Sequence, residues 1–160
     1  FCPTRCAYCS FVAQSVEKSF SLVEPYLEAL FDEITAAGQL VREMGLNIKS
    51  FYMGGGTPGI LTPDQMDAIL TALEESFDLS ACPEITVEIG RPDTITAEKL
   101  AVLKSHGVTR VCVNPQTMED HVLAAIGRRH VSADTVRAME LVRTYRCRWR
   151  ALICLSPRRR

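Results

Sequence analysis

Two hydrophobic periods alternate along this chain. Between residues 24 and 45 apolar side chains recur every three or four positions. Leu27, Leu30, Phe31, Ile34, Val41 and Met44 form the stripe of an amphipathic helix, and Gly45 stops it. The next run, NIKSFYM at 47–53, is short, apolar and β-rich, and predicts a buried strand. A glycine cluster follows, and then Thr62 as a cap, Pro63 at the first helical position and Gln65 completing a capping box. The helix they open presents Met66, Ile69, Leu70, Leu73 and Phe77 as its core face. EITVEIG at 84–90 predicts a second strand, Thr96 and Gly107 bound a further helix, and VTRVCVN at 108–114 predicts a third strand. Residues 118–126 and 132–143 complete the pattern as two helical stretches.

Strand–helix units of this length imply right-handed crossovers. They predict an α/β fold with parallel strands and helices on the outside, either doubly wound or barrel-like. In such folds ligands lie beyond the carboxyl ends of the strands. The first strand is followed there by Gly54, Gly55, Gly56, Thr57 and Pro58. The second ends at Glu88 and Arg91, and the third is followed by Asn114 and Gln116. Each group taken alone is an ordinary turn or strand end, but three in succession at one sheet edge predict a pocket. Glu88 stands out, because a carboxylate in an apolar strand is costly to bury unless it is hydrogen-bonded or paired.

Composition narrows the class. The chain has 160 residues, 47% of them hydrophobic, and a formal net charge of −1, which suits one soluble domain with a substantial core. No apolar run approaches the roughly 20 residues of a membrane span. The near-neutral balance gives no overall basic footprint for nucleic acid. No secretory signal precedes the cysteines, so a cytoplasmic setting is expected, where thiols stay reduced. Three of the seven cysteines, Cys2, Cys6 and Cys9, fall in the first nine residues. In a reducing compartment such a cluster is metal-binding or catalytic rather than disulfide-forming.

Three chemistries compete for these motifs. GGGTPG formally satisfies G-x-G-x-x-G after a strand, the dinucleotide fingerprint. Pro58 and the cap at Thr62, however, delay the helix until after Gly59, and a nucleotide site leaves the cysteines unexplained. A structural zinc site needs four ligands, and no second C-x-x-C or nearby histidine supplies the fourth. Cys82, Cys112, Cys147 and Cys154 are scattered. Three thiolates with one open position suit an iron–sulfur cluster whose fourth iron is free for a ligand.

CPTRCAYC, with Tyr8 as its aromatic residue, and GGGTP after a strand resemble the radical S-adenosylmethionine enzymes. FCPTRCAYCSF, FYMGGGTP, VEIGRPDTIT, GVTRVCVNPQTM and IGRRH are most similar to the oxygen-independent coproporphyrinogen III oxidase group, in its coproporphyrinogen dehydrogenase branch. The resemblance implies an incomplete (β/α)6 barrel over residues 1–143. A first strand would lie upstream and the last strands beyond. It implies a [4Fe–4S] cluster on Cys2, Cys6 and Cys9, with S-adenosylmethionine chelating the free iron. Tyr8 would lie beside the adenosine, Gly55, Gly56 and Thr57 at the methionine end, Glu88 and Gln116 at the ribose and methionine groups, and Arg128 as a basic support. Arg128 also reads, with Arg129 and His130, as a solvated helix end. Reductive cleavage of the sulfonium would start oxidative decarboxylation of porphyrinogen propionates in heme biosynthesis, with flavodoxin or ferredoxin as reductant.

Phe11 stands where the oxidases carry a further cysteine. Some relatives with Phe there resemble heme chaperones, which bind heme without oxidising its precursor, and this is the alternative reading. Residues 144–160 depart from the pattern: seven arginines fall between Arg143 and Arg160, and no acidic residue follows Glu140. This end is read as a divergent tail, produced by a shift of frame near Arg143, in which RWRALICLSP retains the character of a strand. On that reading the chain by itself would not complete its barrel and would be inactive.

Overall fold

The structure, a computed structural model, describes residues 1–12 and 15–145 together with the backbone of Leu152 and Ile153. Its helices are α1 (Val16–Ser19), α2 (Val23–Glu43), α3 (Pro63–Ser76), α4 (Ala97–Ser105), α5 (Asp120–Ala125) and α6 (Ser132–Thr144). Four strands, β1 (Phe51–Met53), β2 (Ile85–Gly90), β3 (Arg110–Val113) and β4 (Leu152–Ile153), lie in that order in one sheet. Every pairing is parallel, with Phe51 opposite Ile85, Val87 opposite Val111 and Cys112 opposite Leu152. The α/β expectation therefore holds, as an open sheet with helices packed around it.

Local signals set the element ends. Gly45, at φ +63°, closes α2: its N–H bonds to the Arg42 carbonyl while that of Leu46 reaches Val41, the double bond of a left-handed helix terminus. The Thr62 hydroxyl accepts from the Gln65 N–H at 3.1 Å, and Gln65 Oε1 accepts from the Thr62 N–H at 3.0 Å, so the capping box opens α3 as expected. Thr96 likewise caps α4.

The core lies between sheet and helices. Val87, Ile89, Val111 and Val113 of β2 and β3 are fully buried against Met66, Ile69, Leu100 and Leu103 of α3 and α4. Burying an aliphatic side chain of this size contributes about 1.5–3 kcal/mol. Two expectations need correction. The first strand is not a buried strand over 47–53: it begins at Phe51, where β2 first offers a partner, and as the sheet edge it leaves Tyr52 59% exposed. Met44 is also exposed: α2 meets the core through Val23, Leu27, Leu30, Phe31 and Ile34, and the stripe is only half-buried at Val41. No helix among the described residues is long and apolar enough to cross a membrane. Apart from Leu152 and Ile153, the proposed tail from residue 146 lies outside the described residues.

Candidate active site

Because the sheet is parallel, the segments following β1, β2 and β3 emerge at one edge, and the cysteine loop is seated on that edge. Gly56 meets the first residue so closely that a Cβ there would stand 2.4 Å from the Phe1 carbonyl oxygen. The buried Thr57 hydroxyl donates to Cys2 Sγ at 3.4 Å. Arg91, just past β2, donates from Nη2 to Cys6 Sγ at 3.3 Å and to the Thr4 carbonyl at 2.6 Å, and from Nη1 to the Thr4 hydroxyl at 2.6 Å. On the far side the Thr4 hydroxyl donates to the Gly127 carbonyl, and the Ala7 N–H to that of Ile126. Tyr8 accepts from Arg128 Nη2 at 2.9 Å. Burial raises the Tyr8 phenol pKa, against the opposing pull of Arg128.

Glu88 occupies the middle of this edge. Tyr52 donates to its Oε2 at 3.0 Å, and the Asn114 side-chain amide donates to its Oε1. Although the residue is largely exposed, partial desolvation of its hydroxyl, followed by the hydrogen bond and charge of Glu88, holds the Tyr52 phenol well above its usual range, so Tyr52 remains a donor. The carboxylate is thus fixed between Tyr52 of β1 and Asn114, the residue just past β3. Gln116 is the one described non-glycine residue with positive φ, at 69°, a conformation costly to most side chains and concentrated at functional sites. Gly55, at φ +115°, has open space beside it, as a loop receiving a ligand needs.

The basic trio divides three ways, which corrects its reading as a solvated helix end. Arg129 is exposed and pairs with Glu17 at 2.7 Å. Arg128 is half-buried, and its Nε has no hydrogen-bond partner among the described residues. His130 is 2% exposed and its Nε2 lies 3.2 Å from the Pro115 carbonyl; burial lowers its pKa, favouring the neutral ring. An apolar cavity of about 520 Å³ lies instead along the outer edge of β1, against α2, and of the candidate ligands only Gly56 and Thr57 border it.

Residues 1–156 match the sequence profile of the radical SAM superfamily. The chain belongs to that superfamily. It is 41% identical over 146 residues to the oxygen-independent coproporphyrinogen-III oxidase-like protein HemZ of Bacillus subtilis, covering 91% of this chain and 29% of HemZ. It is 37% identical over 147 residues to the heme chaperone HemW of the same organism, covering 89% of this chain and 37% of HemW. Among solved structures, the coproporphyrinogen III oxidase HemN of Escherichia coli, a radical SAM enzyme, superposes with a TM-score of 0.78. That match has 24% identity and covers 90% of this chain and 32% of HemN, a likeness of fold. The chain thus spans about a third of the length of these relatives.

Members of the superfamily use a [4Fe–4S] cluster and S-adenosylmethionine. The donor set here fits that cluster. Cys2, Cys6 and Cys9 are free of disulfides, Cys2 and Cys6 are buried, and two of the three sulfurs already accept hydrogen bonds from the sheet edge. Among the described residues no three His, Cys, Asp or Glu side chains are gathered as a formed metal site, so the structure brings the thiols into one loop without drawing them into a ligand set. Sequence reasoning did not find Tyr52, Thr4 or the contact of Arg91 with Cys6. A tyrosine facing a strand carboxylate was the one available signal, and it needed the β1–β2 register to be read.

Proposed function

We propose that this chain forms the cofactor-binding part of a radical SAM enzyme of the coproporphyrinogen oxidase-like group, acting on a porphyrinogen. Cys2, Cys6 and Cys9 would hold the [4Fe–4S] cluster. Glu88, Gln116, Gly55, Gly56 and Thr57 would bind S-adenosylmethionine, with Tyr8 beside its adenosine and Arg128 as support. The bound pair supplies reductive cleavage of the sulfonium and a carbon-centred radical able to take hydrogen from a substrate propionate. The protein's own residues orient these groups. Glu88, locked by Tyr52 and Asn114, presents its carboxylate without reorganisation, and the glycines allow backbone approach. The observation that carries this reading is the seating of the cysteine loop on the GGGTP segment, with Thr57 bonded to Cys2.

A heme-binding role is the second reading. It is favoured by Phe11, 71% exposed in the position after the cysteine loop, and by the similarity to HemW. The two separate by experiment. The full-length protein of which this chain is the cofactor-binding part, reconstituted anaerobically with iron and sulfide and supplied with S-adenosylmethionine and a flavodoxin or ferredoxin reductant, should release 5′-deoxyadenosine and convert coproporphyrinogen III to protoporphyrinogen IX. Stoichiometric heme binding without decarboxylation would establish the chaperone reading in its place.

A further inference from the structure

The side chain of Arg91 is 3% exposed, and no carboxylate lies within ion-pair distance of it among the described residues. A guanidinium is permanently charged, and burying one without an anionic partner costs several kcal/mol. Thr4 satisfies part of its hydrogen-bonding capacity but none of its charge. The remaining partner is Cys6 Sγ at 3.3 Å. Such an arrangement makes sense where the sulfur belongs to an anion, and a cluster held by three thiolates is one.

We propose that Arg91 is the buried counter-charge and clamp of the cysteine loop: a positioning residue that raises the reduction potential of the cluster bound there and slows its loss. The inference rests on the cluster reading above. Two effects follow from one side chain. A positive charge beside a ligand sulfur stabilises the form carrying the extra electron, and hydrogen bonds to the sulfurs act in the same direction. The fork onto both oxygens of Thr4 fixes the loop between Cys2 and Cys6, since the Thr4 hydroxyl is also tied to Gly127 on the opposite side. Charge and fork can be separated, because lysine keeps the charge while losing the planar two-pronged geometry.

The experiment is an anaerobic redox titration followed by electron paramagnetic resonance, with no S-adenosylmethionine present, on the reconstituted protein and its Arg91→Gln and Arg91→Lys variants. Iron release to a chelator is timed in parallel, and far-UV circular dichroism checks the fold. Arg91→Gln should lower the ratio of reduced to oxidised cluster at a fixed potential by about tenfold, a shift of about 59 mV for one electron. Arg91→Lys should titrate within about threefold of the parent, and both variants should release iron faster. If Arg91→Gln titrates like the parent with its fold intact, the charge role is wrong. If Arg91→Gln takes up no cluster at all, Arg91→Lys decides: a tenfold shift there overturns the assignment, and near-parental behaviour supports it. A parent that takes up no cluster would instead overturn the cluster reading itself, an outcome distinct from any of these.

Discussion

Glu88 shows how a single residue can be legible before the structure and yet incompletely understood from sequence. Its carboxylate in an apolar strand marks it as costly unless partnered, and the structure supplies Tyr52 of β1 and Asn114, just past β3. The partners themselves were hidden, because sequence spacing does not give cross-strand register. The contact of Arg91 with Cys6 was hidden for the same reason: Arg91 was legible as one of the polar strand ends, but 85 residues separate it from Cys6. Glu88→Ala removes a preset acceptor for the organic cofactor but touches no cysteine. It should weaken S-adenosylmethionine binding about tenfold or more, the scale of a hydrogen bond to a charged group, while the iron content stays unchanged. Equilibrium binding and iron analysis on the same sample check this. Loss of the cluster together with binding would place Glu88 in the support of the loop.

The elements were legible where periodicity and caps agreed, as at α3 and at the glycine that ends α2. They were misjudged where burial depends on a neighbour. NIKSFYM has the composition of a buried strand, but β1 lies at the sheet edge, and composition does not carry sheet order. Two predictions belong at this scale. Gly56→Ala places a Cβ 2.4 Å from the Phe1 carbonyl, a contact that backbone must move to relieve, so the cysteine loop should lift from the GGGTP segment. Cluster retention should fall severalfold while the far-UV spectrum is kept; unaltered retention would show that the contact is dispensable. His106, at the end of α4, lies 3.0 Å from both Asp67 and Glu74 of α3. Burial pulls its pKa down, but the hydrogen bonds and charges of the two carboxylates outweigh that, and the net shift is upward. A raised folded-state pKa stabilises the fold fully below the unfolded value, about 6.5, and the contribution is lost as pH rises through the folded value. The melting temperature should therefore fall from pH 6 to pH 9 more steeply in the parent than in His106→Gln, which thermal scans across that range will show.

At the scale of the whole molecule, the open four-stranded sheet, the helices around it and the cysteine loop on its carboxyl edge form one arrangement. Most residues of the loop from Phe1 to Tyr8 meet one of three segments. Gly56 and Thr57 follow β1, Arg91 follows β2, and Ile126, Gly127 and Arg128 follow α5. Such clasping from three sides holds the three-cysteine loop, with Cys2 and Cys6 buried, against the sheet edge. The account stands or falls on what those thiols hold. The most direct measurement is iron and sulfide content with Mössbauer spectroscopy after anaerobic reconstitution, compared between the parent and Cys6→Ser. The account predicts one [4Fe–4S] cluster per chain in the parent and none in Cys6→Ser. Tetrahedral zinc bound by the parent, with no uptake of iron, would contradict it.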